Sequence, residues 1–202
     1  MCSDTHMTSA LTCNGSRLWS PAEVYAIRGV ISKPSNRALF DLMLYTGLRL
    51  EEVKQLVACP EIFDEERRRL TIKSGKAKAT QKERDVKLCD KGIEAVKAFL
   101  LTPKVPSSSS AWQMNLIRWS KEAGITPLPG RGDGSGNIYG VTVRTSRKTL
   151  ESWLLTAYPD RAAYVALSQG HTETTSLRHY LNLSFTDEER EAIPDEVRGW
   201  RA

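Results

Sequence analysis

Hydrophobic positions along the chain fall into blocks of two periods, and the change of period marks the organisation. Ser20-Pro21-Ala22-Glu23 reads as a capping box with proline in the first turn, and it opens a helix to about Ile31. Lys33-Pro34-Ser35-Asn36 then breaks the chain. Ala38 to Tyr45 is apolar almost all round, which predicts a helix buried on most sides and stopped at Gly47. A further helix runs from Arg49 through Leu56, with Glu51 and Glu52 favouring its positive end. Between Ile62 and Leu88 the period drops to that of strands. Arg69-Leu70-Thr71-Ile72 and Arg84-Asp85-Val86-Lys87-Leu88 flank the polar run Lys73 to Lys82, predicting a β-hairpin with a long basic tip. Helical spacing returns with Ile93, Val96 and Leu100 behind Asp90 as cap, and again with Trp112, Leu116 and Trp119, which read as core. Pro103 to Ser110 is a linker and Gly124 to Gly140 a loop.

The resulting class is mainly α with a small antiparallel β-sheet or hairpin, an α+β fold. Met1 to Arg17 is polar and aperiodic and is expected to be a disordered leader or arm, residues 18–184 form the central domain, and 185–202 form a tail. Thr186-Asp187-Glu188-Glu189-Arg190 is a capping pattern for a short acidic helix in that tail.

Composition narrows the chemistry only a little. A chain of 202 residues is long enough to bury a sizeable core, and a net charge of +5 with a pI near 9.1 permits nucleic-acid binding without demanding it. Cys2, Cys13, Cys59 and Cys89 are scattered, and the three histidines form no ligand spacing with them, so no metal is expected. The Gly130 to Gly136 run follows no strand and holds no phosphate-loop lysine, which argues against nucleotide binding. There is no apolar run of membrane-spanning length and no targeting pattern at the amino terminus, which implies a cytoplasmic protein with reduced thiols.

Candidate chemistry concentrates between Val141 and Tyr180, which read as two or three short helices. Arg144 and Arg147 lie one turn apart on the helix that Thr149, Leu150, Trp153 and Leu154 continue, and two guanidinium forks there suit an anion. Gln169-Gly170-His171 ends one helical pattern, Thr172 to Thr175 begins the next, and Tyr180 follows His171 by nine residues. Each feature has an ordinary reading: a Gly-His step as a helix stop, a tyrosine as core, with Tyr158 and Tyr164 as examples. Their order and spacing together carry more. Arg-x-x-Arg, then Gln-Gly-His, then a tyrosine nine residues on, resembles the carboxy-terminal signature of the tyrosine recombinases, the phage-integrase family. Upstream, Tyr45-Thr46-Gly47-Leu48-Arg49-Leu50-Glu51-Glu52-Val53 is similar to the block carrying that family's first arginine. The resemblance covers roughly Leu18 to Ser184.

That resemblance implies a catalytic domain that cuts one DNA strand through a covalent 3′-phosphotyrosine at Tyr180 and rejoins it without ATP, metal or cofactor. Arg49 and Arg147 would hold the phosphate oxygens, with Glu52 supporting Arg49. A lysine of the hairpin would protonate the leaving 5′ oxygen; Lys76 is the first choice, with Lys73 and Lys78 as rivals. His171 would donate a hydrogen bond to the phosphate or assist Tyr180. Lys73, Lys78, Lys82 and Lys148 are the candidate DNA contacts. Arg144 departs from the family, standing where bacterial members usually carry histidine, and looks most like archaeal or archaeal-virus integrases. Expected partners are double-stranded DNA and further copies of the chain, as a dimer or tetramer on DNA, and the tail either docks on a neighbouring protomer or frays. Within the same chemistry the alternatives are chromosome-dimer resolution and a type IB topoisomerase. Outside it, the chain is a DNA-binding fragment without activity alone.

Overall fold

The structure, a computed structural model, describes residues 10–13, 15–73, 83–129, 136–170 and 185–201. Its centre is a single apolar helix, and the other elements are arranged round it. That helix, α2 (Pro34–Thr46), buries Leu39, Phe40, Leu42, Met43, Leu44 and Tyr45. It packs against α4 (Asp90–Leu101) and α6 (Thr145–Ala157), as a helix apolar on most sides must. The sequence placed a break at Lys33 to Asn36. Instead Pro34 is the first helical residue, where its fixed φ suits the first turn and its missing N–H costs nothing.

Helix α1 (Pro21–Val30) begins with the expected capping box: the Glu23 backbone N–H donates to Ser20 Oγ, and the Ser20 N–H donates to Glu23 Oε2. It lies on α5 (Ser109–Glu122), whose Trp112 and Trp119 meet edge to face at 5.5 Å within the core, as their spacing predicted. Helix α3 (Leu50–Ala58) leads through a short 3-10 turn into an antiparallel sheet of β3 (Phe63–Asp64), β4 (Arg69–Lys73) and β5 (Glu83–Lys87). In the β4–β5 pair Leu70 faces Val86 and Ile72 faces Arg84. Val86 and Leu88 are buried by the two-residue period, and Arg84 shares their face. The cap of α4 is Cys89 rather than Asp90: its Sγ accepts the Gly92 N–H at 3.3 Å. Burial raises the Cys89 thiol to about 11, keeping it protonated.

Two boundary segments behave differently from the sequence reading. Residues 10–13 and 15–17 are part of a packed hairpin, β1 (Thr12–Cys13) with β2 (Ser16–Arg17). Arg17 is the reason: its backbone N–H donates to the Gly140 carbonyl, its Nη1 to the Thr126 carbonyl at 2.7 Å, and its Nη2 pairs with Glu23. Thr126 and Gly140 lie more than a hundred residues along the chain, so no local pattern announces them. At the other end, α8 (Asp187–Glu196) carries the expected Thr186–Glu189 capping box. It lies against α1 and α6 of its own chain, burying Phe185, Ile193, Val197 and Trp200. Glu196, 2% exposed, accepts from the Tyr25 hydroxyl at 2.8 Å and the Tyr45 hydroxyl at 2.7 Å, and pairs with Lys91 at 2.8 Å. Among the described residues no helix is long and apolar enough to cross a membrane.

Candidate active site

Gly47 closes α2 with φ +65°, a left-handed cap that glycine reaches without a Cβ penalty. The same absence makes room for a neighbour, because a Cβ here would collide with the Gln169 side-chain amide. Two residues on, Arg49 is the N-cap of α3, and Glu52 one turn later folds back on it. Glu52 Oε2 accepts the Arg49 backbone N–H at 2.7 Å, and Oε1 accepts Arg49 Nη1 at 3.0 Å. The Arg49 side chain is 56% exposed, whereas Glu52 is only 7% exposed. A cation is therefore held outward from a buried anchor.

From the other end of the sequence comes Arg147, in the first turn of α6. It is 7% exposed, and its Nη1 donates to the Gly47 carbonyl at 2.8 Å, which joins the two motifs across 100 residues. Its Nη2 is buried and has no hydrogen-bond partner among the described residues. Burial, with Arg84 and then Arg49 alongside, lowers Arg147 to about 9. A buried cation repelled by its neighbours is stabilised by an arriving anion, and the free fork edge gives that anion a defined place.

A third guanidinium, unforeseen in the sequence reading, completes the cluster. Arg84 of β5 pairs through Nη2 with Glu52 Oε2 at 2.8 Å and donates through Nη1 to the Ser168 carbonyl at the end of α7 (Ala162–Gln169). Burial alone would raise the Glu52 carboxyl; Arg84, the Arg49 N–H and the Arg49 charge outweigh it and hold Glu52 below the usual carboxylate range. One signal was available: Arg84 alternates with Val86 and Leu88, so it is a charge on the inward face of a strand. Gln169 was read only as part of the Gln-Gly-His motif, with no role of its own. It is fully buried, and neither atom of its amide has a hydrogen-bond partner among the described residues.

The remaining candidates separate into those brought here and those that are not. Arg144 is exposed at the N-cap of α6, one turn before Arg147. Lys73 ends β4, exposed, its backbone tied to the Gln55 side chain by bonds of 3.1 and 3.3 Å. Lys148, a candidate DNA contact, is instead occupied internally: its Nζ donates to the Cys13 carbonyl at 3.1 Å and to Ser16 Oγ at 3.0 Å, holding the leader hairpin. Lys76, Lys78, Lys82, His171 and Tyr180 lie outside the described residues. Among the described residues no group of histidine, cysteine and acidic side chains is arranged to hold a metal ion.

Solved structures share the fold of this chain. XerA recombinase superposes with a TM-score of 0.62 at 18% identity, over 91% of this chain and 66% of that one. The Tn1549 transposon integrase in complex with transposon right end DNA gives 0.61 at 15%, over 89% and 65%. The integrase from mycobacterium phage Brujita gives 0.52 at 18%, over 91% and 58%. No protein-family model and no curated protein matches the sequence. The fold is that of the tyrosine recombinase catalytic domain, mostly helical with small antiparallel sheets. This chain spans two-thirds or less of the length of those neighbours.

Proposed function

We propose that this chain cuts and rejoins DNA at a specific site through a 3′-phosphotyrosine on Tyr180, as the recombinase or integrase of a mobile element. One observation carries the reading: Arg147, buried and with no partner for its Nη2 among the described residues, is fastened to the Gly47 carbonyl two residues from the outward Arg49. Two planar guanidinium forks at one point match the non-bridging oxygens of a phosphodiester, and they gain most as charge gathers there in the transition state. The 5′ oxygen leaves as the Tyr180 phenolate attacks, so the phosphotyrosine conserves the broken bond and the reverse attack by a 5′ hydroxyl reseals the strand. Lys76, with Lys73 and Lys78 as rivals, supplies the proton for the leaving oxygen, and His171 hydrogen-bonds the phosphate or assists the phenol.

Arg144 acts as a third clamp on the phosphate. Arginine does not surrender its proton near neutrality, so another group or water accepts the proton of Tyr180. Arg144→His is expected to add an ionisation near pH 6.5 to the rate profile; an unchanged profile would remove Arg144 from the site. Lys73, Lys78 and Lys82 contact the DNA backbone, and copies of the chain assemble on DNA as a dimer or tetramer in the host cytoplasm. A tail exchanged onto a neighbouring protomer would give up the contacts of α8 with α1 and α6. The looks of an archaeal or archaeal-virus integrase rest on Arg144 and the Ser-Leu-Arg-His-Tyr ending.

The deciding experiment is incubation with a nicked suicide duplex. A covalent adduct that disappears in Tyr180→Phe supports strand transfer. Salt-sensitive binding with no adduct makes the chain a DNA-binding module instead, and relaxation of supercoils without exchange between duplexes makes it a topoisomerase.

A further inference from the structure

We propose that Arg84 is a positioning residue of this site, a clamp that fixes the hairpin, the start of α3 and the end of α7 relative to one another; this rests on the recombinase reading above.

Each of those segments holds or borders in sequence a residue to which the recombinase reading gives a role. Strand β5 leads out of the basic hairpin tip, α3 begins at Arg49, and α7 runs into Gly170, the residue before His171. None of the three is a chain neighbour of another. Arg84 touches all of them: Glu52 of α3 through Nη2, the Ser168 carbonyl of α7 through Nη1, and Gly170 through its aliphatic stem. Gly170 has φ +65°, and a Cβ there would stand 2.9 Å from Arg84 Cδ, so the guanidinium stem occupies the space that glycine leaves. A second tie runs beside it, from the Lys87 backbone N–H to Ser168 Oγ at 3.0 Å.

Its role differs from that of Arg147. Both terminal nitrogens of Arg84 are committed to protein acceptors, whereas Arg147 keeps Nη2 unpartnered among the described residues. Arg84 therefore orients Glu52, and through it Arg49, rather than holding phosphate itself. The planar fork is essential because its two nitrogens reach acceptors on different elements at once. Lysine, a single point charge on a flexible stem, satisfies one acceptor at a time.

The test is single-turnover cleavage of a nicked suicide duplex by the full chain carrying Arg84→Lys, Glu52→Gln or both. Arg84→Lys is expected to lower the rate constant at saturating DNA by about 10- to 100-fold, the cost of slight misplacement, with half-saturating DNA and thermal midpoint close to the parent's. The double variant should be no slower than the slower single, because both act through one contact. Parent-like rates, a loss confined to DNA affinity, or multiplying losses in the double variant would overturn the clamp. If Arg84→Lys does not fold, Arg84→Met with Glu52→Gln removes both charges together, and the same rate criterion applies to it. Hydrogen exchange without DNA reads the clamp independently of activity. Amides of residues 50–53 and 168–170 should both exchange faster in Arg84→Lys, and protection unchanged in either segment overturns the proposal. A parent that forms no Tyr180-dependent adduct defeats the recombinase reading alone, and the exchange result still decides the clamp.

Discussion

Glu52 and Glu196 are both buried carboxylates that gather side chains from distant parts of the chain, and they do opposite things. Glu52 is surrounded by charge of one sign: it pairs with Arg49 and Arg84, and Arg147 lies close enough to feel both arginines while donating only to a carbonyl. Glu196 meets one cation, Lys91, and accepts from the hydroxyls of Tyr25 and Tyr45. Around Glu196 charge is closed and the groups are satisfied, so the cluster can only hold α8 to α1, α2 and α4. Around Glu52 positive charge is left over, and that surplus is what an anion would settle. The balance of charge, rather than burial or residue type, separates a site from a strut.

The largest expected effect falls on the open cluster. Arg147→Met should slow adduct formation by about 10²–10³-fold, or about 2.7–4 kcal/mol of transition-state stabilisation, yet lower stability in urea by no more than about 1 kcal/mol. A large loss of stability with little loss of rate would reverse the assignment of the two clusters. Glu196→Gln is the mirror case. It should cost about 2 kcal/mol of stability, since three hydrogen-bonded groups lose a charged acceptor, and leave DNA affinity where it was.

The pH limbs sharpen the contrast. The Glu52 carboxyl is lowered in the folded state, so its contribution is complete above the ordinary 4.5 and is lost as the pH falls through the depressed value. Glu52→Gln should flatten that acid limb of the urea midpoint. Burial and Glu196 raise the Tyr45 phenol, so its contribution is complete below the ordinary 10.0 and is lost as the pH climbs above it. Tyr45→Phe should flatten the alkaline limb only. The smallest effect concerns Lys148: Lys148→Ala should cost about 0.5–1 kcal/mol by freeing the leader hairpin and leave the salt dependence of DNA binding unaltered, where a phosphate contact would reduce its slope.

What the sequence disclosed follows the range of each interaction. The capping boxes at Ser20 and Thr186, the stop at Gly47, the pairing of Arg49 with Glu52 and the two strands of the hairpin are local, and each lay within a few residues of its own signal. The proline at 34 was misread because Pro breaks a helix interior and starts a helix equally well, and only the packing of Leu39 onward decides. Arg17, Arg84 and Lys148 escaped because their partners are 32 to 135 residues away or on another element, where no period links them. Of the candidate site, Arg49, Glu52 and Arg147 were legible through motif order. The buried tie between Arg147 and Gly47 that brings its ends together was not.

Trp200, the aromatic side chain of the tail beyond α8, lies 3% exposed with its ring 5.5 Å from that of Tyr158. The other four indoles are buried in the body of the domain, so departure of α8 alone would move a single fluorophore from an apolar slot into water. The emission of this protein therefore contains a built-in gauge of tail undocking, readable as a partial red shift while the remaining tryptophans keep their blue envelope.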